Sequence, residues 1–236
     1  MIIVQQVVYT VHAERWHALA ESLGLTAFYP PSPDWGEFGG DGVLAVHRAD
    51  DHRPVGAVDL NLLVDDLDAA ERALAAYSVT RGRMQMVGDH LTVRTRSGAE
   101  ISVFPGAVAV TGEVTVQPIW FHEDIAEVRG ILEALGMRAA VVADRGGWVE
   151  MRADAGAVGV HSVTGRAEGH GPGVGLSFQT TGDLHALAAR LMDAGFAASI
   201  LDEAYGRSIR IPDPDGGADV CVNDAPTDLY GYHRED

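Results

Sequence analysis

Two glutamines and two histidines recur in this chain at nearly one interval. Gln5 and Gln117 lie 112 residues apart, and His47 and His161 lie 114 apart. Each glutamine sits in a run rich in β-branched residues, Val4-Gln-Gln-Val-Val-Tyr-Thr and Val116-Gln-Pro-Ile-Trp-Phe-His. Each histidine closes a small-residue run, Gly42-Val-Leu-Ala-Val-His47 and Gly156-Ala-Val-Gly-Val-His161. Alternate side chains of a strand face opposite sides. Leu44 and Val46 therefore share one face, while Ala45 with His47, and Gly159 with His161, take the other. An amide or an imidazole there can ligate a metal or hydrogen-bond to backbone, and an imidazole can also carry a proton near neutral pH. Residue type leaves these readings open. Glu100 is the carboxylate best suited to act as a general base, with His47 as the second proton carrier; the competing reading of Glu100 is a solvated strand end. Cys221 reads as a small buried hydrophobe rather than a nucleophile.

Aromatic residues join these positions. Tyr9 and Phe121 are again 112 apart and share a face with the glutamines. With Trp35 and Trp148 they would form a flat apolar wall, whereas Trp120 faces the core. A concave, aromatic-lined cavity with few polar groups suits a small-molecule ligand, and acidic groups at its mouth suit a cationic one. No Ser-His-Asp order, phosphate-binding loop, dinucleotide fingerprint or His-Glu-x-x-His is present.

The elements that must position these residues repeat four times. Residues 2–11 read as a strand, Glu14–Leu23 as a helix stopped by Gly24, and strands follow near Trp35–Phe38 and Val43–His47. A second unit has a strand at Val55–Val64, a helix from Asp65-Asp66-Leu67 to Tyr77, and strands near Val79–Val87, Leu91–Thr95 and Glu100–Phe104. The third runs from Val114 to Val163 around a helix at Ile125–Leu135. The fourth opens at Val174, with a helix at Asp183–Ala194 and strands at Phe196–Leu201, Ser208–Ile211 and Asp219–Val222. Four β-α-β-β-β units imply a duplicated pair of modules. The expected division is 1–108 (modules 1–54 and 55–108), 113–224 (modules 113–164 and 172–224) and a C-terminal tail, 225–236, that is either a surface or a docking tail. The joins include Gly106–Gly112 and a Gly-rich stretch with His170.

Composition limits the rest. The 236 residues are 47% hydrophobic, with net charge −17 and seventeen basic residues, all arginine. That balance argues against a nucleic-acid partner and serves solubility. One cysteine excludes an intrachain disulfide framework. No apolar run approaches a membrane span, and no leader pattern is visible, so a cytoplasmic protein is expected.

The paired modules, a Leu-Gly at the helix ends and Ile211-Pro-Asp-Pro-Asp-Gly216 before the last strand together resemble the vicinal oxygen chelate superfamily, which includes glyoxalase-type lyases, bleomycin-resistance proteins and extradiol dioxygenases. The resemblance implies an α+β fold of two tandem domains with curled sheets and helices outside. It implies either a small-molecule binding protein of the resistance type or a divalent-metal-dependent lyase, isomerase or dioxygenase acting on adjacent oxygens. It implies one divalent metal (Zn, Fe, Mn or Ni), held by His or Gln in each first strand and Glu in each last. The matching donors are Gln5, His47, Asp59 and Glu100 in the N-terminal half. In the C-terminal half they are Gln117, His161 and Asp219 or Cys221. The superfamily's usual Glu and His positions hold Ala45 or His47, Gly159 or His161, Asp59 or Asn61, and Gly175 or Ser177. That departure leans toward binding. Oligomerisation stays open.

Overall fold

The computed structural model describes the chain except residues 86, 108–110, 164–172, 204–205, 226–228 and 236. The first module is β1 (Ile2–Thr10), α1 (Ala13–Ser22), β2 (Thr26–Ala27), β3 (Trp35–Gly40) and β4 (Gly42–Arg48). The second is β5 (Val58–Val64), α2 (Leu67–Ala73), β6 (Ser78–Met84), β7 (Gly88–Arg94) and β8 (Glu100–Pro105). In the third, the first strand is split into β9 (Val114–Val116) and β10 (Ile119–His122), because Pro118 has no N–H to give the ladder. It continues with α3 (Ile125–Ala134), β11 (Arg138–Ala143), β12 (Trp148–Arg152) and β13 (Ala157–Ser162). The fourth is β14 (Gly173–Gly175), β15 (Ser177–Thr180), α4 (Leu184–Asp193), β16 (Ser199–Glu203), β17 (Gly206–Ile211) and β18 (Val220–Asp224), and β19 (Tyr232–Arg234) follows.

This is the α+β arrangement of four β-α-β-β-β modules that the sequence implies. The N-terminal half forms one sheet in the order β2-β3-β4-β1-β5-β8-β7-β6. The C-terminal half forms two, β14-β10-β13-β12-β11-β19 and β16-β17-β18-β15-β9, which meet at the split first strand. The parallel pairs β1–β4 and β10–β13 are equivalent, with Tyr9 opposite His47 and Phe121 opposite His161. The helix-facing side chains of all four modules join one core, including Trp16, Leu44, Leu62, Val103, Trp120, Ile131, Phe178 and Val222. Asp66, Asp124 and Asp183 cap α2, α3 and α4 with their carboxylates.

Several boundaries shift from the sequence reading, β5 starting at Val58 and β6 ending at Met84 among them, and two of the shifts have a visible cause. α2 ends at Ala73 instead of reaching Tyr77, because Leu74 turns into the core and Tyr77 crosses to α3, where its hydroxyl covers Gly130. The strand expected from Phe196 starts at Ser199; Phe196 is buried and closes the end of α4 through its N–H to the Leu191 carbonyl after Gly195. The tail docks: β19 pairs with β11, and Glu235 takes both terminal nitrogens of Arg129. The join with His170 lies outside the described residues.

The halves meet through a near-twofold exchange. Val4 N donates to Ala155 O (2.9 Å), and its counterpart Val116 N donates to Asp41 O (2.7 Å). Gly42 (φ +97°) and Gly156 (φ +84°) face each other there, and a Cβ on either would lie within 3.3 Å of the other's Cα. Only glycine accepts both the conformation and the approach. A second clasp comes from Asp215, which accepts Trp16 Nε1–H (2.7 Å) and Val11 N–H (3.3 Å) across the halves. Among the described residues no helix is long and apolar enough to cross a membrane.

Candidate functional site

Strand alternation puts Gln5, Val7 and Tyr9 of β1 on the face away from the helices, beside His47, Trp35, Glu37, Asp59 and Asn61 of the neighbouring strands. Their polar atoms form a chain. Trp35 Nε1–H donates to Tyr29 Oη (2.6 Å), and Tyr29 O–H donates to Glu37 Oε2 (2.5 Å). Gln5 Nε2–H donates to Glu37 Oε1 (2.8 Å), and Asn61 Nδ2–H donates to Gln5 Oε1 (3.0 Å). Beside it, Asp59 accepts from Tyr9 O–H (2.9 Å) and Arg53 Nε–H (2.7 Å). Burial and the Glu37 carboxylate push the Tyr29 phenol up to about 12. Burial and Asp59 raise that of Tyr9 as well.

The two histidines occupy matching aromatic settings. His47 lies 5.2 Å from the Tyr9 ring and 5.3 Å, edge-on, from Trp35; His161 lies 5.8 Å from Phe121 and 5.9 Å from Trp148. His47 Nδ1 is 2.6 Å from Arg48 O, and His161 Nδ1 is 2.7 Å from Ser162 O. A carbonyl only accepts, so Nδ1 carries the proton in both rings.

The other side chains singled out by the sequence are placed as follows. Glu100 is exposed at the start of β8, held by Arg94, its partner across the β7–β8 hairpin. Gln117 is 2% exposed, and its Nε2 has no hydrogen-bond partner among the described residues. Asp219 is exposed just ahead of β18, and Cys221 is half-buried against Arg210. The structure thus brings Tyr9, Trp35, His47, Gln5 and Asp59 onto one face, and Phe121, Trp148 and His161 onto its counterpart. It does not gather a metal-donor set: among the described residues no three His, Cys, Asp or Glu side chains could share an ion. Nonhaem Fe(II) in oxygenases takes two imidazoles and a carboxylate on one face, and the donors described here do not fit it.

In the C-terminal half the inward positions are filled. A Cβ on Gly159 would lie 2.2 Å from Trp148 Cη2, and one on Gly175 would lie 3.0 Å from Phe121 Cε2. Aromatic rings therefore cover both glycines.

Two further carboxylates occupy equivalent places, and the sequence reading passed over them. Trp35-Gly-Glu37 and Trp148-Val-Glu150 are both offset by 113; each Trp pairs with a His, and the glutamates pair with Ala45 and Gly159. The repeated Trp-x-Glu was the available signal. Glu150 is 3% exposed and bound by Arg152, whose Nη2 also reaches Gln179 Oε1 (2.6 Å). A cleft of about 650 Å³, lined by Tyr77, Arg94, Arg96, Asp124 and Glu127, lies apart from these faces, and Arg96 there pairs with Asp124 and Glu127.

No family model and no curated protein sequence matches the chain. Solved structures do. The 2,3-dioxygenase LapB from Pseudomonas sp. KL28 aligns over 97% of this chain and 92% of its own, with TM-score 0.64 and 16% identity. Homoprotocatechuate 2,3-dioxygenase from Brevibacterium fuscum, in complex with 3,4-dihydroxyphenylacetate, aligns over 95% and 79%, with TM-score 0.61 and 17% identity. A catechol 2,3-dioxygenase aligns over 99% and 94%, with TM-score 0.60 and 14% identity. The fold is therefore the one these 2,3-dioxygenases share.

Proposed function

We propose that this chain acts on a small aromatic molecule bearing adjacent oxygens, bound on the face of the N-terminal sheet that carries Gln5, Tyr9 and His47. The observation that carries this reading is the likeness to ring-cleaving dioxygenases over nearly the whole chain, which favours turnover over sequestration. The residues support the binding step. Trp35, Tyr29 and Tyr9 offer aromatic surface, while Glu37, Asn61 and Gln5 offer hydrogen-bonding groups to ligand oxygens. His47 has its Nδ1–H committed to Arg48 O, which leaves the lone pair on Nε2 as its proton acceptor. The described donors do not form an Fe(II) set, so the turnover assignment rests on the fold and the binding assignment on the side chains.

A second reading, binding without cleavage, is favoured by one observation. Gln5, Glu37 and Asn61 already satisfy one another and are not aimed at a common ion. Oxygen uptake and calorimetric binding, measured together with catechol and 3,4-dihydroxyphenylacetate and with Fe(II) or Mn(II) supplied, separate the two. Uptake matched to substrate consumed supports turnover. Binding without uptake supports sequestration. No binding of catechol, 3,4-dihydroxyphenylacetate or an amine-bearing catechol such as dopamine refutes both readings.

A further inference from the structure

The duplication provides an internal comparison at the paired glutamates. In the C-terminal half the carboxylate of Trp148-Val-Glu150 is neutralised by Arg152, two residues along the same strand and on the same face, and Arg152 is braced by Gln179. In the N-terminal half the position of Arg152 is Gly39, paired with Val43 as Arg152 is paired with Ala157. The position of Gln179 is Leu63, opposite Ile3 as Gln179 is opposite Thr115. The arginine and its brace are both gone, yet the carboxylate remains.

Glu37 is consequently a half-buried carboxylate with no cationic partner among the described residues; its side chain is held by Gln5 and Tyr29 alone. The other charges of this face are paired: Asp59 with Arg53, Glu100 with Arg94, and, at the rim, Asp34 with Arg48. An ionised carboxylate has about four acceptor sites, so two remain open on Glu37. Aromatic side chains lie along its hydrogen-bonded chain: the Tyr29 hydroxyl holds one oxygen and Trp35 holds Tyr29, while the Tyr9 ring, across β4, already has the Arg53 guanidinium 6.0 Å from its centroid. A carboxylate with open acceptor sites and aromatic side chains nearby suits an organic ammonium or guanidinium group.

We infer that the N-terminal face selects a cationic ligand, whose ammonium or guanidinium group sits on Glu37 as the Arg152 side chain sits on Glu150. The inference rests on the proposed reading of this face as the ligand site and narrows its substrate class to aromatic amines.

Three probes divide the question: 2-phenylethylammonium carries the charge without the diol, dopamine carries both, and 3,4-dihydroxyphenylacetate carries the diol with opposite charge. Affinities are measured by calorimetry at low salt for the native chain and for Glu37→Gln, which removes the charge, keeps one acceptor oxygen for Gln5 and turns an amide N–H toward the Tyr29 oxygen. Both ammonium compounds should bind the native chain, with dopamine at least about tenfold tighter than 3,4-dihydroxyphenylacetate. Glu37→Gln should weaken both ammonium compounds about tenfold and leave the carboxylate compound no weaker. The inference is overturned if the carboxylate compound binds as tightly as dopamine, if neither ammonium compound binds, or if Glu37→Gln changes nothing. The comparison on the native chain holds even if the variant does not fold. Equal affinities for dopamine and 2-phenylethylammonium would uphold the charge and refute the diol; binding of 3,4-dihydroxyphenylacetate alone would do the reverse.

Discussion

Replacing Arg152 with methionine strips the cation from a carboxylate that is 3% exposed while keeping most of the side-chain volume. Glu150 would then retain only Gln179 Nε2, at a long 3.4 Å. Breaking a buried pair by removing one partner costs about 3–5 kcal/mol, mainly because the remaining charge stays desolvated. The Arg152 side chain is itself 34% exposed, so water screens the pair and the lower end applies, about 3 kcal/mol. For a chain of this size each kcal/mol moves the midpoint by about 2–4 °C, so Arg152→Met should lower Tm by about 6–12 °C. Adding Glu150→Gln removes the stranded charge and leaves an amide that can bond Gln179. The double variant should recover to within about 1 kcal/mol of the native protein. Thermal unfolding followed by near-ultraviolet circular dichroism at one fixed neutral pH reads all three proteins. A fall of less than about 2 °C for the single variant, or a double variant as unstable as the single, would refute the claim that Arg152 exists to neutralise Glu150.

Two other outcomes follow from contacts already described. Asp215→Ala strands the fully buried Trp16 indole N–H, which should cost about 1–3 kcal/mol, and Asp215→Asn should recover part of this by keeping one acceptor; denaturant unfolding of the two variants checks the order. Tyr29 should titrate late, near 12, in an ultraviolet phenolate titration, and Tyr29→Phe should remove a late-titrating phenol rather than one near 10. The sign is that of a raised acid. The folded state holds the proton longer, so the group's contribution is complete below the unfolded value of about 10 and is lost as pH rises toward 12.

The fold was legible because its signals are local and repeated. Gly24, Gly136 and Gly195 end three helices with positive φ, and the intervals between Gln5 and Gln117 and between His47 and His161 expose the duplication. The two-residue period also placed Leu44, Val46 and Trp120 in the core and put Tyr9 and Phe121 on the face of Gln5 and Gln117, whereas Trp35 and Trp148 stand beside the histidines through the strand register. The period tells which face a residue takes, but not what crosses that face from the next strand. Arg94 reaches Glu100 because the β7–β8 register sets them opposite, and that register is a property of the hairpin. In the same way, Trp148 lies across Gly159, a strand away. The strands Phe196–Leu201 and the helix end at Tyr77 were misjudged for a related reason. Phe196 and Leu74 are apolar residues that finish helices by burial, and their types fit a strand or a continuing helix equally well.

Tandem duplication lets the two copies answer opposite demands on one frame. An uncompensated, half-buried carboxylate is a liability to folding, and a chain can carry one only where the surroundings hold its shape regardless. The shared junction supplies that support: Val4 and Val116 exchange main-chain bonds with Ala155 and Asp41, Asp41 also accepts Thr115 O–H (2.7 Å), and Gly42 meets Gly156. β1, which carries Gln5 and Tyr9, is therefore anchored by the C-terminal half through Ile3 and Val4, two and one residues before Gln5. In that half, aromatic rings over Gly159 and Gly175 and an arginine on Glu150 close the corresponding face. The closed copy contributes rigidity, and the copy that lost its arginine keeps an accessible charge. A chain that used both faces alike would have no reason to retain Arg152 and Gln179 in one half and Gly39 and Leu63 in the other.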